Sequence, residues 1–257
     1  STARSEFTMT PPRPDLDRIR ERFIEARGYW RPWCETLLQG NPGFVEHYAR
    51  YAGQPARTGP LSPRMVELVY VALDASSSHL YEAGLRTHMA RALEAGASEA
   101  DIFDVLHLVT VQGVSRVAQT AELLAQTAPE GAAHDLSERS SQRLDTARER
   151  HGLSLHALAK LDPGYTEVLL DWLEGGFTES GLTASEQLLV QLALHACFTA
   201  FDATAVQNII RNGSSQGLTH PQMLQAIQMG AHLAVHGTAL GASVYEQLQP
   251  STIPPQP

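Results

Sequence analysis

The chain has 257 residues, with 28 Asp and Glu against 19 Lys and Arg, and a formal net charge of -9 at pH 7. This acidic balance argues against a nucleic-acid partner, because the chain would repel a phosphate backbone. The two cysteines, Cys34 and Cys197, form no CxxC pair, which predicts neither a disulfide framework nor a thiolate metal site and favours a reducing cytoplasm. No apolar run reaches about 18 residues and no secretory signal opens the chain, so we expect no membrane contact.

The two ends of the chain lie outside the predicted fold. Residues 1–14 are typical of an expression tag followed by a disordered N-terminus. Residues 250–257, PSTIPPQP, form a proline-rich tail that cannot propagate a helix. We therefore expect the folded part of the chain to run from Asp15 to about Gln249.

Between these ends, apolar residues recur at spacings of three and four, which predicts amphipathic helices and no strand. Ser62 is the predicted N-cap of a helix over the segment PRMVELVYVALDA, with Pro63 in its first turn. Thr183 is the predicted N-cap of a second such helix. Gly96 and Gly217 are each predicted to stop a helix, because glycine readily takes the left-handed conformation that ends one. The fold class is therefore all-α.

The two halves of the chain align without a gap when one is shifted along the other. The segment NPGFVE from Asn41 is echoed by DPGYTE from Asp162, a shift of 162 − 41 = 121 residues, and both segments predict a turn. The same shift aligns LSPRMVELVYVALDA with LTASEQLLVQLALHA. The alternative is that the match between the two halves is a coincidence of helical periodicity. The alignment predicts two helical repeats, residues 15–126 and 132–249, packed about a pseudo-twofold axis.

The order of helices in the first half resembles the carboxymuconolactone decarboxylase family, which includes the alkylhydroperoxidase D-like proteins. The segments RMVELVYVALDA, YEAGLRTH and ARALEAGASEADIFDVLHL carry this resemblance. It covers Leu61 to about Leu124 well and Leu182 to about Leu248 more weakly. The resemblance implies a tandem repeat of two alkylhydroperoxidase D-like helical units and a lyase-type enzyme. Because single-repeat relatives form hexameric rings, it also implies a homo-oligomer, with a trimer favoured over a dimer.

The resemblance also implies which residues are catalytic. His88 matches the family histidine, and Glu67 matches a glutamate of the preceding helix that relays a proton. Tyr81 and Gly84 stand where the peroxidase branch of the family has its two cysteines, so thiol peroxidase activity is not expected. The decarboxylase branch uses E-L-x-x-H, of which GLRTH keeps Leu85 and His88.

The predicted helix presents these groups on one face. At about 100° per residue this face carries Tyr81, Gly84, Leu85, His88 and Arg91. His88 could exchange a proton near neutral pH, Tyr81 could donate to an enolate oxygen, and Arg91 could hold a carboxylate. Gly84 leaves room for a close approach, and His79 is a further candidate for substrate binding. The face suits decarboxylation or isomerisation through an enolate, and with the family resemblance it implies cofactor-independent, His-based proton transfer on a small carboxylated lactone or enolisable acid. The alternative is that His88 is a core histidine.

The second repeat lacks this chemistry, because the 121-residue shift places Ile209 at the position of His88 and Leu188 at that of Glu67. We therefore expect it to be a degenerate repeat with a structural role. It has other histidines: His232 and His236, spaced i,i+4, could bind one metal ion.

A third ligand to that ion would come from His195 or Asp202. Such a set suits non-haem iron, so a metal-dependent family member is one alternative function and a non-catalytic scaffold is another. Five further histidines are expected in loops or at the surface: His107, His134, His151, His156 and His220.

Overall fold

The computed structural model describes residues 14–249, and this part of the chain is helical with no strand. The predicted all-α fold class is confirmed. The helices are α1 (Leu16–Arg27), α2 (Pro32–Gly40), α3 (Pro42–Thr58), α4 (Pro63–Ala75), α5 (Glu82–Glu94), α6 (Glu99–Val111), α7 (Val114–Ala125), α8 (Glu138–His151), α9 (His156–Leu161), α10 (Pro163–Gly175), α11 (Ala184–Ala196), α12 (Ala203–Ser215), α13 (His220–Met229), a 3-10 helix (Gly230–Ala234) and α14 (Val235–Leu248). The predicted tag up to residue 13 and the proline-rich tail lie outside the described residues.

Helix starts and ends follow the predicted signals. The Ser62 side chain accepts the backbone N–H of Met65 at the start of α4, where Pro63 is the first helical residue. Thr183 caps α11 in a reciprocal capping box with Glu186, which satisfies two backbone donors that the helix itself cannot. These predicted caps are confirmed.

Glycines follow the ends of α5 and α12, as predicted. Gly96 has φ +94° and Gly217 has φ +86°, a left-handed conformation that side chains with a Cβ rarely adopt. The predicted turns at Asn41 and Asp162 are shorter than expected. Each is a single residue between two helices, because Pro42 and Pro163 open the next helix, where a missing backbone N–H is tolerated.

The described chain forms two compact units. One consists of the described residues before 55 and after 234, and its apolar core includes Phe23, Trp33, Leu38 and Val45. The other consists of residues 55–234. These units do not coincide with the repeats proposed over 15–126 and 132–249, whose boundaries stay a prediction.

Two central helices organise the unit of residues 55–234. In α4 and in α11 nine of the thirteen residues are buried, which is why apolar residues cover more than one face of each helix. α4 packs against α5, α6 and α11. Three polar residues of α4, Glu67, Tyr70 and Asp74, are shielded in this way and contribute to the candidate site.

The helices of the two halves recur at the shift found in the sequence. α4 starts at residue 63 and α11 at 184, and 184 − 63 = 121, as for α5 and α12, where 203 − 82 = 121. Tertiary hydrogen bonds recur in the same way. The N–H of Leu61 donates to Gln225 Oε1 and the N–H of Leu182 donates to Asp104 Oδ2, both at 2.8 Å. These reciprocal contacts favour the predicted duplication and pseudo-twofold arrangement, which remain predictions.

No helix within residues 14–249 is both long enough and apolar enough to cross a membrane.

Candidate active site

The centre of the candidate site is a buried histidine paired with a glutamate. His88 lies in the middle of α5, and Glu67 lies on α4, the helix that packs against it. His88 Nδ1 and Glu67 Oε2 are 2.6 Å apart, and the two side chains are 6% and 17% exposed. Because a carboxylate can only accept, Nδ1 carries the hydrogen and donates it, which leaves the lone pair on Nε2. The imidazole is thus held in one tautomer with its reactive nitrogen directed away from Glu67.

Asp74 occupies the other side of the imidazole. Its side chain is fully buried, with Oδ2 3.9 Å from His88 Nε2 and Oδ1 3.8 Å from His79 Nε2. Both distances are longer than a direct hydrogen bond. Burial lowers the pKa of His79, which favours its neutral form. The predicted substrate-binding His79 and the predicted catalytic His88 thus flank one carboxylate that the sequence analysis missed.

Gly84 makes the approach of Asp74 possible. A Cβ at this position would overlap Asp74 Oδ2 and lie 3.0 Å from Asp74 Cγ and 2.6 Å from Tyr81 Cδ1. The close approach expected at Gly84 therefore occurs, and the group that approaches is a side chain of α4. Any larger residue would displace this carboxylate or push α4 and α5 apart.

Two aromatic rings complete the arrangement around His88. The Tyr70 ring centroid lies 4.6 Å from that of His88 and 4.8 Å from that of His232. The His88 and His232 rings meet edge to face at 5.6 Å. His232 belongs to the 3-10 helix and is buried. The C-terminal half of the chain thus contributes a side chain to the site.

The remaining predicted site residues lie near the start and end of α5. Tyr81 is half-buried and precedes the first turn of α5, so it is the N-cap residue rather than part of the helical face. Its backbone N–H donates to the Asp74 carbonyl at 3.0 Å. Arg91 is half-buried, one turn beyond His88. Leu80 has φ 53°, a left-handed conformation that is strained for leucine, in the connection that carries His79 and Tyr81.

The structure groups the metal-ligand candidates differently from the sequence. His232 lies on the 3-10 helix and His236 on α14, so the two lie on different helical elements. Within residues 55–234, the donor atoms of His232, Asp74 and His88 all lie within 4.8 Å of one another. His195 is buried in α11, where burial lowers its pKa to about 4, and it belongs to no group of three ligands there.

Two histidines expected in loops or at the surface are in fact in helices and shielded. His151 ends α8, is buried, and donates from Nδ1 to Gln191 Oε1 at 2.9 Å. Burial lowers its pKa to about 4. His107 is half-buried in α6 between Trp172 and Phe177, where burial lowers its pKa. The surface prediction was wrong for these two because their apolar neighbours come from distant helices.

The other three histidines of this set and the two cysteines differ in exposure. His134 and His220 are exposed, as predicted, and His156 is half-buried at the start of α9. Cys34 and Cys197 are both buried free thiols, and burial raises the pKa of Cys34 to about 11. A thiol held protonated in this way is a poor nucleophile.

Comparison with known proteins agrees with this architecture. Residues 42–127 match the sequence profile of the Carboxymuconolactone decarboxylase family. A crystal structure from Burkholderia xenovorans LB400, described as that of a candidate gamma-carboxymuconolactone decarboxylase subunit, shares 26% sequence identity with the chain. It superposes with a TM-score of 0.80 over 92% of this chain and 98% of its own. No curated protein sequence matches the chain at a significant level.

Proposed function

We propose that this chain, which belongs to the carboxymuconolactone decarboxylase family through residues 42–127, is a lyase or isomerase in which His88 transfers a proton to or from a small carboxylated lactone or enolisable acid. The family match and the decarboxylase-subunit neighbour support a carboxymuconolactone decarboxylase-like function. The residue roles and the substrate are our own inference from the site.

The observation that carries the proposal is the short contact between His88 Nδ1 and Glu67 Oε2, 2.6 Å long and largely shielded from solvent. An anionic partner on Nδ1 stabilises the imidazolium that forms when Nε2 accepts a proton. The pair can therefore take a proton from a carbon acid and return it later. Glu67 would orient the imidazole, and His88 would be the group that exchanges the proton with substrate.

In a decarboxylation, the bond between the carboxylate carbon and the substrate breaks, and its electron pair stays on the substrate as an enolate. The protonated Nε2 of His88 would then deliver its proton to the enolate carbon, and the neutral imidazole would be recharged from solvent. Tyr81 would donate a hydrogen bond to the enolate oxygen, and Arg91 would hold a second carboxylate. In an isomerisation, the same nitrogen would remove a proton at one carbon and return it at another.

We also propose that the chain works as a homo-oligomer, with a trimer favoured. Two fused repeats in each chain would give a trimer the six units of a single-repeat hexamer. The solved neighbour is described as a subunit, which supports an assembly of some kind. Light scattering of the purified protein would measure the mass of the particle directly.

A screen in heavy water tests the reaction class. Wild-type protein and His88→Ala are incubated with gamma-carboxymuconolactone and with simple enolisable lactone acids in D2O, and the products are followed by proton NMR. We expect wild type to release carbon dioxide, or to exchange a carbon-bound hydrogen for deuterium, with at least one acid. Folded wild-type protein that neither consumes nor labels any of these acids would contradict the proposal and favour the non-catalytic scaffold.

A further inference from the structure

We propose that Asp74, His88 and His232 form a binding site for a divalent transition-metal ion, with one carboxylate oxygen and two imidazole nitrogens as ligands. The ligand atoms of these three residues lie within 4.8 Å of one another, and all three residues are buried. This inference goes beyond the proposed proton transfer, because it assigns a second use to His88 Nε2.

The chemistry of the donors selects the class of ion. Two imidazoles and a carboxylate are a set that binds Zn²⁺ or Fe²⁺, and they leave coordination positions open for water or another ligand. Mg²⁺ and Ca²⁺ prefer oxygen ligands throughout and would bind poorly here. The site therefore fits a borderline transition metal.

The separation of one ligand pair is close to the value that an ion requires. His88 Nε2 and Asp74 Oδ2 are 3.9 Å apart. Two ligands each about 2.1 Å from an ion in tetrahedral geometry would be roughly 3.4 Å apart. A shift of about half an ångström would bring the pair into this geometry, which is within reach of small side-chain rotations.

Two further features support the assignment. Glu67 accepts the hydrogen of His88 Nδ1, so the lone pair is on Nε2, the nitrogen that lies 3.9 Å from Asp74 Oδ2. A carboxylate behind a histidine in this way is the usual support for a metal-binding imidazole. Gly84 provides the second feature, since its missing side chain leaves space for the Asp74 carboxylate next to α5.

Charge also favours a cation at this point. The Asp74 side chain is fully buried, and its two oxygens lie within 4 Å of His79 Nε2 and His88 Nε2. A dication bound to the Asp74 carboxylate would offset the free-energy cost of burying a negative charge. An ion bound to Nε2 would take the lone pair that accepts a proton in the proposed reaction. Metal binding and proton transfer would therefore exclude each other, and the loaded protein should turn over more slowly.

Metal binding is measured without substrate. Protein freed of metal by a chelator is dialysed against Zn²⁺, and bound zinc is counted by mass spectrometry; Co²⁺ is then used as a visible-absorption probe of the ligand set. We expect about one ion per wild-type chain. We expect Asp74→Asn and His232→Gln to weaken Zn²⁺ binding by more than about 100-fold, and Glu67→Gln by about 10- to 100-fold, as for other residues that support a ligand.

His151→Gln and His195→Gln are the matched controls, since both replace a buried histidine in the same compact unit without touching the three ligands. Their Zn²⁺ affinity should equal that of wild type. Helical circular dichroism confirms that each variant is folded. Wild type that binds no zinc, or folded Asp74→Asn and His232→Gln that bind it as wild type does, would overturn the proposal. The zinc measurements need no substrate. A failed substrate screen would therefore contradict the proposed function without affecting the metal-site proposal.

Discussion

The two halves of the chain place different side chains at corresponding positions of similar helices. Four positions of the site in the first half are Glu67, Tyr70 and Asp74 on α4 and His88 on α5. At the 121-residue shift their counterparts are Leu188, Gln191 and His195 on α11 and Ile209 on α12. Both carboxylates and the paired histidine are confined to the first half. The two halves thus share a similar pair of helices. A few polar residues at the centre of that pair make only the first half a candidate for acid–base chemistry.

Buried histidines occur in both halves, but they have different partners. His88 donates to the carboxylate of Glu67, whereas His151 donates to the neutral amide of Gln191. An anion stabilises an imidazolium and an amide oxygen does so much less, and burial lowers the pKa of His151 to about 4. The comparison teaches that burial next to a neutral amide disfavours the charged imidazole of His151, whereas His88 has a carboxylate as the partner that can stabilise an imidazolium.

The largest effect is expected from His88→Ala. Removal of a general acid–base group typically lowers kcat by about 10²- to 10⁴-fold, and we expect that loss for an acid identified in the screen. His151→Ala is the matched control and should keep its turnover per folded molecule while losing stability. Rates and thermal melts on the same preparations measure both. If His88→Ala keeps its activity and loses only stability, then His88 is a core histidine like His151.

Acid should destabilise the fold through the histidines of the second half. His151 and His195 have pKa values near 4 in the folded protein, whereas an unfolded histidine titrates near 6.5. Between these two pH values the unfolded state binds more protons, so the free energy of unfolding falls as the pH falls from about 6.5 to about 4, by up to about 3 kcal/mol per histidine. Urea unfolding at several pH values measures the slope. It should be shallower in His151→Gln and His195→Gln, and equal slopes in all three proteins would contradict this assignment.

Gly84→Ala should damage the first half, although alanine is the better helix former. Its Cβ would overlap the Asp74 carboxylate, so we expect a loss of about 1–3 kcal/mol in stability, as for overpacked cores, together with reduced turnover. At the 121-residue shift, the counterpart of Gly84 in the second half is Ala205. The reverse change, Ala205→Gly, should cost only about 0.5–1 kcal/mol and leave turnover unchanged. A stabilised, fully active Gly84→Ala would show that the approach of Asp74 does not matter.

The smallest expected effect concerns the cysteines. We expect no turnover of peroxide with a dithiol reductant, because Tyr81 and Gly84 replace the paired cysteines and burial keeps the Cys34 thiol protonated. Cys34→Ser and Cys197→Ser should therefore leave the peroxide background unchanged. A peroxidase rate that disappears in either variant would place a redox centre in this protein after all.

Helix boundaries could be predicted because their signals are local. Ser62, Thr183, Gly96 and Gly217 act through backbone donors and φ angles within a few residues of themselves. The pairing of Glu67 with His88 came from the family resemblance. Asp74 and Tyr70 do carry a local signal, because with Glu67 they form a polar stripe at i, i+3 and i+7 on a largely apolar helix.

The contribution of His232 could not have been predicted in the same way. It lies 232 − 88 = 144 residues from His88, and only the packing of the 3-10 helix brings the two rings together. The i,i+4 spacing of His232 and His236 suggested one continuous α-helix, whereas a 3-10 helix ends between the two at Ala234. The burial of His107 and His151 likewise depends on tertiary contacts that no local pattern carries.

The central claim is that Glu67 and His88 act as one proton-transfer unit. A double-mutant cycle of kcat with wild type, Glu67→Gln, His88→Ala and the double variant tests this most directly. If Glu67 acts only through the imidazole, Glu67→Gln should cost less than His88→Ala and shift the pH profile of kcat, and the double variant should be no slower than His88→Ala alone. If the two losses multiply instead, the residues act independently and the account is wrong.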